Sequence, residues 1–105
     1  MKAIIGGFRY DTDKSKMIGR ASAPGLSTTD FSHWEAELYK TPRSGRFFLA
    51  GSGGPMTRWA RGNDNSTWGS SGIIPLDVLE AYEWAERYLD TETVEEFFPD
   101  MFEDA

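Results

Sequence analysis

Apolar and polar residues alternate through much of the first half of the chain, and this alternation predicts β-strands that are buried on one face. In the second predicted strand we expect Met17, Gly19 and Ala21 to face the core. A turn-forming run at residues 41–45 joins the third and fourth strands into a β-hairpin. The four predicted strands span residues 2–10, 16–22, 31–40 and 46–50.

Glycine, serine and asparagine replace this alternation after residue 50. We therefore expect the fourth strand to end there, and we expect residues 62–72 to form a long loop. Ile73 and Ile74 predict one more short strand, which Pro75 closes because proline has no backbone N–H to donate.

The last third of the chain has helical periodicity. Its apolar residues recur at i, i+3, i+4 and i+7, and Asp77 followed by Glu80 is a typical helix start. Glu83 and Arg87 are spaced for an ion pair on the helix surface. Thr91 is expected to cap a second helix that Pro99 ends.

The predicted fold is α+β. An antiparallel sheet of 3–5 strands is packed by a C-terminal amphipathic helix (77–90) and a short second helix (92–98). A length of 105 residues predicts a single domain over 1–105, with an acidic and aromatic tail at 99–105.

The chain has no cysteine, which excludes disulfides, zinc ribbons and iron–sulfur clusters. Its apolar N-terminal run is too short for a signal peptide, and no run is long enough to span a membrane. We therefore expect a cytoplasmic protein that does not contact a membrane.

Charge divides the chain into two unequal parts. Residues 1–75 carry a net charge of +4, whereas residues 76–105 carry −10 and contain Arg87 as their one cation. The predicted partner-binding residues therefore lie in this acidic segment: Glu80, Glu83, Glu86, Asp90, Glu92, Glu95, Glu96, Phe97 and Phe98. Carboxylates would steer a basic partner and the aromatic rings would anchor it. The alternatives are that the carboxylates only keep the protein in solution, and that the aromatic rings fold back onto the core.

Two further features suggest a different chemistry. His33, Glu35 and Glu37 share one face of the predicted third strand and could form a weak metal or acid–base cluster. The glycine-rich loop that begins at Gly51 and ends at Arg58 could hold an anion or phosphate, although it lacks the ending of a phosphate-binding loop. A polar edge strand and a plain turn explain these features better, so we expect no catalytic residue, no metal and no cofactor.

Four arginines could gather near the glycine-rich loop into a basic patch: Arg43, Arg46, Arg58 and Arg61. The net charge of −6 argues against direct nucleic-acid binding, because it repels a phosphate backbone. We therefore expect these arginines to pair with carboxylates of the chain itself.

Several short motifs carry a resemblance that covers residues 8–90. They are Tyr10-Asp11-Thr12, Glu37-Leu38-Tyr39-Lys40-Thr41, Gly45-Arg46-Phe47-Phe48-Leu49, Gly53-Gly54-Pro55-Met56-Thr57, Ile73-Ile74-Pro75-Leu76, Glu80-Ala81 and Trp84-Ala85-Glu86. In these motifs the chain resembles a family of small, mostly uncharacterised bacterial proteins of phages and mobile elements. The resemblance implies an anti-defence role, such as that of an anti-CRISPR protein, and transfers no site residues.

Together, the charge division and the resemblance predict a non-catalytic inhibitor. Its acidic C-terminal surface would act as a DNA mimic and block a basic nucleic-acid-binding surface, for example on a CRISPR effector subunit. The alternative is a small ligand- or phosphate-binding domain, or an enzyme, that uses the loop from Gly51 to Arg58.

Overall fold

The computed structural model describes residues 1–23, 32–54, 58–59, 61–62 and 67–105, with only the backbone at 67 and 68. It confirms the predicted α+β class. The strands are β1 (Lys2–Ile5), β2 (Phe8–Asp11), β3 (Lys16–Ser22), β4 (Trp34–Lys40), β5 (Phe47–Gly53), β6 (Arg61–Gly62), β7 (Thr67–Trp68) and β8 (Ser70–Leu76). The helices are α1 (Val78–Tyr88) and α2 (Thr91–Phe97).

Four strands form the central antiparallel sheet, in the order β3–β4–β5–β8. Successive side chains of a strand point to opposite faces, so the sheet has two separate apolar layers. On β5, Phe47 and Leu49 face the helices, whereas Phe48 and Ala50 face the other side. The residues of β5 that point to one face therefore pack against the helices, and those that point to the other face pack against a second apolar layer.

Both helices lie on one face of the sheet. Ala81, Trp84 and Ala85 are the buried residues of α1, and they join the same core cluster as Leu38 of β4. Phe98, directly after α2, is 2% exposed and stacks on Phe47 with ring centroids 5.2 Å apart. These contacts fix which sides of α1 and α2 remain in solvent.

A hairpin of β1 and β2 covers part of the opposite face. The sequence predicted one strand over residues 2–10, and this prediction is wrong. Gly6 and Gly7 both have positive φ, at 60° and 85°, and reverse the chain there. Tyr10 of the hairpin packs edge-on against Phe48 of the sheet, with ring centroids 5.4 Å apart.

Of the three residues of β3 that were predicted to face the core, Ala21 packs against it and Gly19 lies against the C-cap residue of α1, but Met17 does not face inward. A β-bulge between Met17 and Gly19 shifts the register, so Ile18 is buried while Met17 is exposed. Gly19 lies against Leu89, whose side chain would be 2.7 Å from a Cβ at that position. The bulge therefore turns Ile18 toward the helices, and the absence of a Cβ on Gly19 leaves room for Leu89 over the strand.

Strand β5 continues through the glycines that were expected to end it. Its pairing with β4 and β8 reaches Gly53, and a Cβ on Gly51 would lie 3.0 Å from the Trp59 ring.

The predicted loop 62–72 is likewise shorter, since β8 begins at Ser70. Pro75 lies within β8 and does not close it, which is possible because β8 is an edge strand.

The helix boundaries follow the capping residues. Asp77 and Glu80 form the predicted capping box at the start of α1, which ends at Tyr88 and not at residue 90. Asp90, and not Thr91, is the N-cap of α2, where its Oδ1 accepts a hydrogen bond from the backbone N–H of Thr93 at 2.8 Å. None of the helices in the described part of the chain is long and apolar enough to cross a membrane.

Replacing the buried ring with Phe98→Ala should lower the free energy of unfolding by about 3–5 kcal/mol, because it leaves a cavity between α2 and the sheet. Phe102→Ala is the matched control, since Phe102 is 38% exposed, and its effect should stay within about 0.5 kcal/mol. Urea unfolding measures both. Equal effects would show that Phe98 is not part of the core.

The cap of α2 should make stability depend on pH. Hydrogen bonds from the Thr93 side chain, and then from its backbone, hold the pKa of the Asp90 carboxyl below its ordinary value. An ionised carboxyl with a lowered pKa stabilises the fold at neutral pH, and this contribution is lost as the pH falls through that pKa.

Asp90→Asn keeps a cap and removes the titration. The difference in unfolding free energy between the natural chain and Asp90→Asn should therefore shrink from pH 7 to about pH 2.5. Urea unfolding at several pH values measures it, and a constant difference would contradict the role of the charge.

Candidate functional site

The seven predicted carboxylates lie on the two helices and the segment that joins them. All seven residues are exposed: Glu80, Glu83, Glu86, Asp90, Glu92, Glu95 and Glu96. We call this set the acidic surface. Since the buried sides of α1 and α2 are docked on the sheet, the carboxylates are confined to the outer sides of the helices.

Helical spacing groups the carboxylates of each helix. Glu83 and Glu86 are three residues apart on the side of α1 opposite Ala81 and Ala85. On α2, the spacing of 92, 95 and 96 places three carboxylates on one side, while Val94 and Phe97 turn toward the core. Each helix therefore presents a group of negative charges to solvent.

The described part of the chain contains no ion pair that involves the acidic surface. Its two ion pairs join Arg20 to Glu37, at 3.1 Å, and His33 to Glu35, at 3.3 Å. The predicted pair of Glu83 with Arg87 is also not formed, and the Arg87 guanidinium instead lies 5.4 Å from the centroid of the Tyr88 ring. Within the described part of the chain, no cation therefore forms an ion pair that would neutralise the acidic surface.

Three of the seven carboxylates have local structural partners. Glu80 accepts a hydrogen bond from the backbone N–H of Asp77 at 3.0 Å, and Asp90 caps α2. Glu86 accepts a hydrogen bond from the Tyr82 hydroxyl, and this bond raises the pKa of the Tyr82 phenol. The other four, Glu83, Glu92, Glu95 and Glu96, have no such role among the described contacts.

The two aromatic residues of the predicted site lie at different depths. Phe98 is in the core and is not available to a partner, so we leave it out of the candidate surface. Phe97 is half-buried, and the ammonium group of Lys16 lies 5.3 Å from its ring centroid. In the tail, Met101 packs against the core and Phe102 is exposed.

The structure brings His33 close to Glu35 but gives Glu37 other partners. Glu37 accepts hydrogen bonds from Arg20, at 3.1 Å, and from the Tyr39 hydroxyl, at 3.2 Å. Burial, with a further contribution from the Glu37 charge, raises the pKa of the Tyr39 phenol. In the described residues, no three His, Cys, Asp or Glu side chains are grouped to hold a metal ion.

The predicted anion loop does not have the geometry of a phosphate cradle where it is described. Residues 51–53 belong to β5, which pairs with β4 on one side and β8 on the other, so their backbone N–H groups serve the sheet. Residues 55–57 lie outside the described part. Gly51 and Ser52 do line a polar cleft of about 690 Å³ together with Glu35 and Glu37.

The four arginines expected in one patch lie in two places. Arg58 and Arg61 line a cavity of about 110 Å³ beside β8, whereas Arg43 and Arg46 line a cleft beside the β4–β5 turn. The expected pairing with carboxylates is not found for them among the described ion pairs. Sequence reasoning missed Arg9 and Lys14, which line the same cleft as Arg43, because no local pattern joins residues so far apart in the chain.

Comparison of the chain with protein-family models, with curated proteins and with solved structures finds no match. The resemblance to small proteins of phages and mobile elements therefore remains a prediction from short motifs.

Proposed function

We propose that the chain is a binding protein without catalytic activity, and that its acidic surface occupies a groove lined with Lys and Arg on another macromolecule. One observation carries this proposal. Carboxylates on two consecutive helices face solvent, and none of them forms an ion pair in the described part of the chain. A groove that binds a phosphate backbone through its positive charges also attracts such a surface.

Helix stability explains only part of this charge. Glu80 and Glu92 lie in the first turns of their helices, where negative charge interacts favourably with the helix dipole. Glu95 and Glu96 lie in the second half of α2, whose last turn has no basic residue, and there negative charge opposes the dipole. Helix stability does not explain the carboxylates of Glu95 and Glu96, whereas a basic partner that neutralises them does.

The partner class comes from the resemblance in the sequence. Small acidic proteins of phages and mobile elements are often anti-defence factors, so we propose a CRISPR effector subunit as the basic partner. In this role the acidic surface would compete with DNA or RNA for the nucleic-acid channel of the effector.

A second candidate function uses the cleft on the other face of the sheet. The cleft brings Glu37 next to Gly51 and Ser52, as a small ligand-binding domain or enzyme would require. However, Arg58 lines other cavities, and the Glu37 carboxylate is occupied by Arg20 and Tyr39. The acidic surface is therefore the better supported site.

Charge reversal on both helices tests the main proposal. The double variant Glu83→Lys and Glu95→Lys should fold normally, because both side chains are exposed. It should lose the ability to displace labelled DNA from purified CRISPR effector complexes, with affinity falling by at least about tenfold. Fluorescence anisotropy of a labelled double-stranded DNA measures the displacement, and the chain mixed with this DNA in the absence of the effector gives the baseline.

The control is Glu103→Lys with Asp104→Lys, which changes the net charge equally at exposed positions outside the acidic surface. This control should displace DNA as well as the natural chain does, and raising the salt concentration should weaken the displacement in both. Equal loss in the two double variants would mean that net charge, and not the acidic surface, is responsible. Retained displacement by Glu83→Lys with Glu95→Lys would reject the proposal.

A further inference from the structure

A second charged surface, opposite in sign, lies between the β1–β2 hairpin and the turn that joins β4 to β5. It is a cleft of about 380 Å³ whose lining includes four cationic side chains. These are Arg9, Lys14, Arg43 and Arg46. Asp11 is the one carboxylate that lines the cleft. We call this feature the basic cleft.

Hydrogen bonds order both walls of the basic cleft. On the β4–β5 turn, Thr41 and Arg46 exchange two of them: the Thr41 N–H donates to the Arg46 carbonyl at 2.8 Å, and the Arg46 N–H donates to the Thr41 hydroxyl at 2.9 Å. On the facing wall, Asp11 accepts from the backbone N–H groups of Asp13, at 3.0 Å, and Lys14, at 3.2 Å. The four cationic side chains therefore extend from backbone segments that hydrogen bonds hold in place.

The cations of the basic cleft form no ion pair with the described carboxylates. Asp11 lies among them, but one of its side-chain oxygens already accepts a hydrogen bond from the turn. Like charges gathered at one place raise the free energy of the folded state. An anionic ligand would remove this repulsion, which is the usual reason for such an arrangement at a binding site.

Phe8 adds an aromatic component to the cleft. Its side chain is 40% exposed, and the Arg46 guanidinium lies 3.7 Å from its ring centroid. This distance is that of a cation–π contact, in which the ring attracts the positive charge of the guanidinium. Aromatic rings and guanidinium planes are also the surfaces on which unpaired bases stack.

We propose that the basic cleft binds single-stranded nucleic acid, with the four cations contacting its phosphates and the Phe8–Arg46 pair contacting a base. The carboxylates of an acidic peptide would pair with the four cations, but they would make no stacking contact with the partly exposed ring of Phe8. The combination of phosphate-binding cations and a stacking platform favours nucleic acid.

The net charge of −6 does not exclude this binding. The hairpin wall of the cleft packs on one face of the sheet, while both helices pack on the other. Each outer layer lies about 10 Å from the sheet, so the two are about 20 Å apart, more than twice the Debye length of about 8 Å at physiological salt. The charge of the acidic surface is therefore largely screened at the basic cleft, and the local positive charge decides what binds there.

The test uses the full chain and a labelled oligothymidylate of about 12 nucleotides, at about 150 mM salt, where the charge of the acidic surface is screened. The double variant Arg9→Glu and Arg43→Glu should weaken binding by at least about tenfold and reduce the dependence of binding on salt. Arg61→Glu with Arg87→Glu makes the same change in net charge at exposed positions outside the cleft, and it should bind much more tightly than the cleft variant.

Two competitors define the ligand. Thymidine monophosphate should compete only weakly if a strand with several phosphates is needed, whereas strong competition would identify a nucleotide as the ligand of the same cleft. Polyglutamate should compete poorly. The proposal is overturned if the natural chain does not bind the oligonucleotide, if the two double variants bind equally, or if polyglutamate binds more tightly than the oligonucleotide.

Discussion

The docking of α1 and α2 on one face of the sheet is the constraint on which the rest of the structure depends. Trp84 and the two buried alanines of α1 pack into the core from one helix, and Phe98 secures the other by stacking on Phe47. Once these side chains are buried, the remaining sides of both helices must face water. The carboxylates on those sides therefore face solvent on the helical side of the sheet.

The result is a molecule in which opposite charges are kept apart. The acidic surface lies on the helical layer, and the basic cleft is formed where the hairpin meets the β4–β5 turn. In the described part of the chain, the ion pairs involve neither surface. Separation of this kind is not required by the fold, and we propose that each surface binds a partner of opposite charge.

The sequence predicted the parts of the fold that have a strong local signal. Alternation identified β3, β4 and the start of β5, and the spacing of Asp77 and Glu80 identified the start of α1. The errors fall where a long-range contact decides the conformation. Ile18 is buried because a β-bulge turns it inward against the helices, and Gly51 stays in a strand because β4 and β8 pair with it on both sides.

The candidate surfaces were predictable to different degrees. The acidic surface follows from the distribution of charge along the chain, because its residues all lie within positions 80–96. Phe98 could not be separated from Phe97 by sequence, since both adjoin the same carboxylates and only packing against Phe47 distinguishes them. The basic cleft had no local signal, because it joins Arg9 of the hairpin to Arg43 of a turn more than 30 positions away.

In the described part of the folded chain, the charges of the acidic surface and of the basic cleft are not compensated by ion pairs. The most direct measurement is the free energy of unfolding as sodium chloride is raised from about 0.01 M to about 0.3 M. Screening of repulsion within the acidic surface should make stability rise with salt, and Glu95→Gln with Glu96→Gln should reduce that rise. Stability that falls with salt would show that attractive ion pairs dominate, and it would contradict the account.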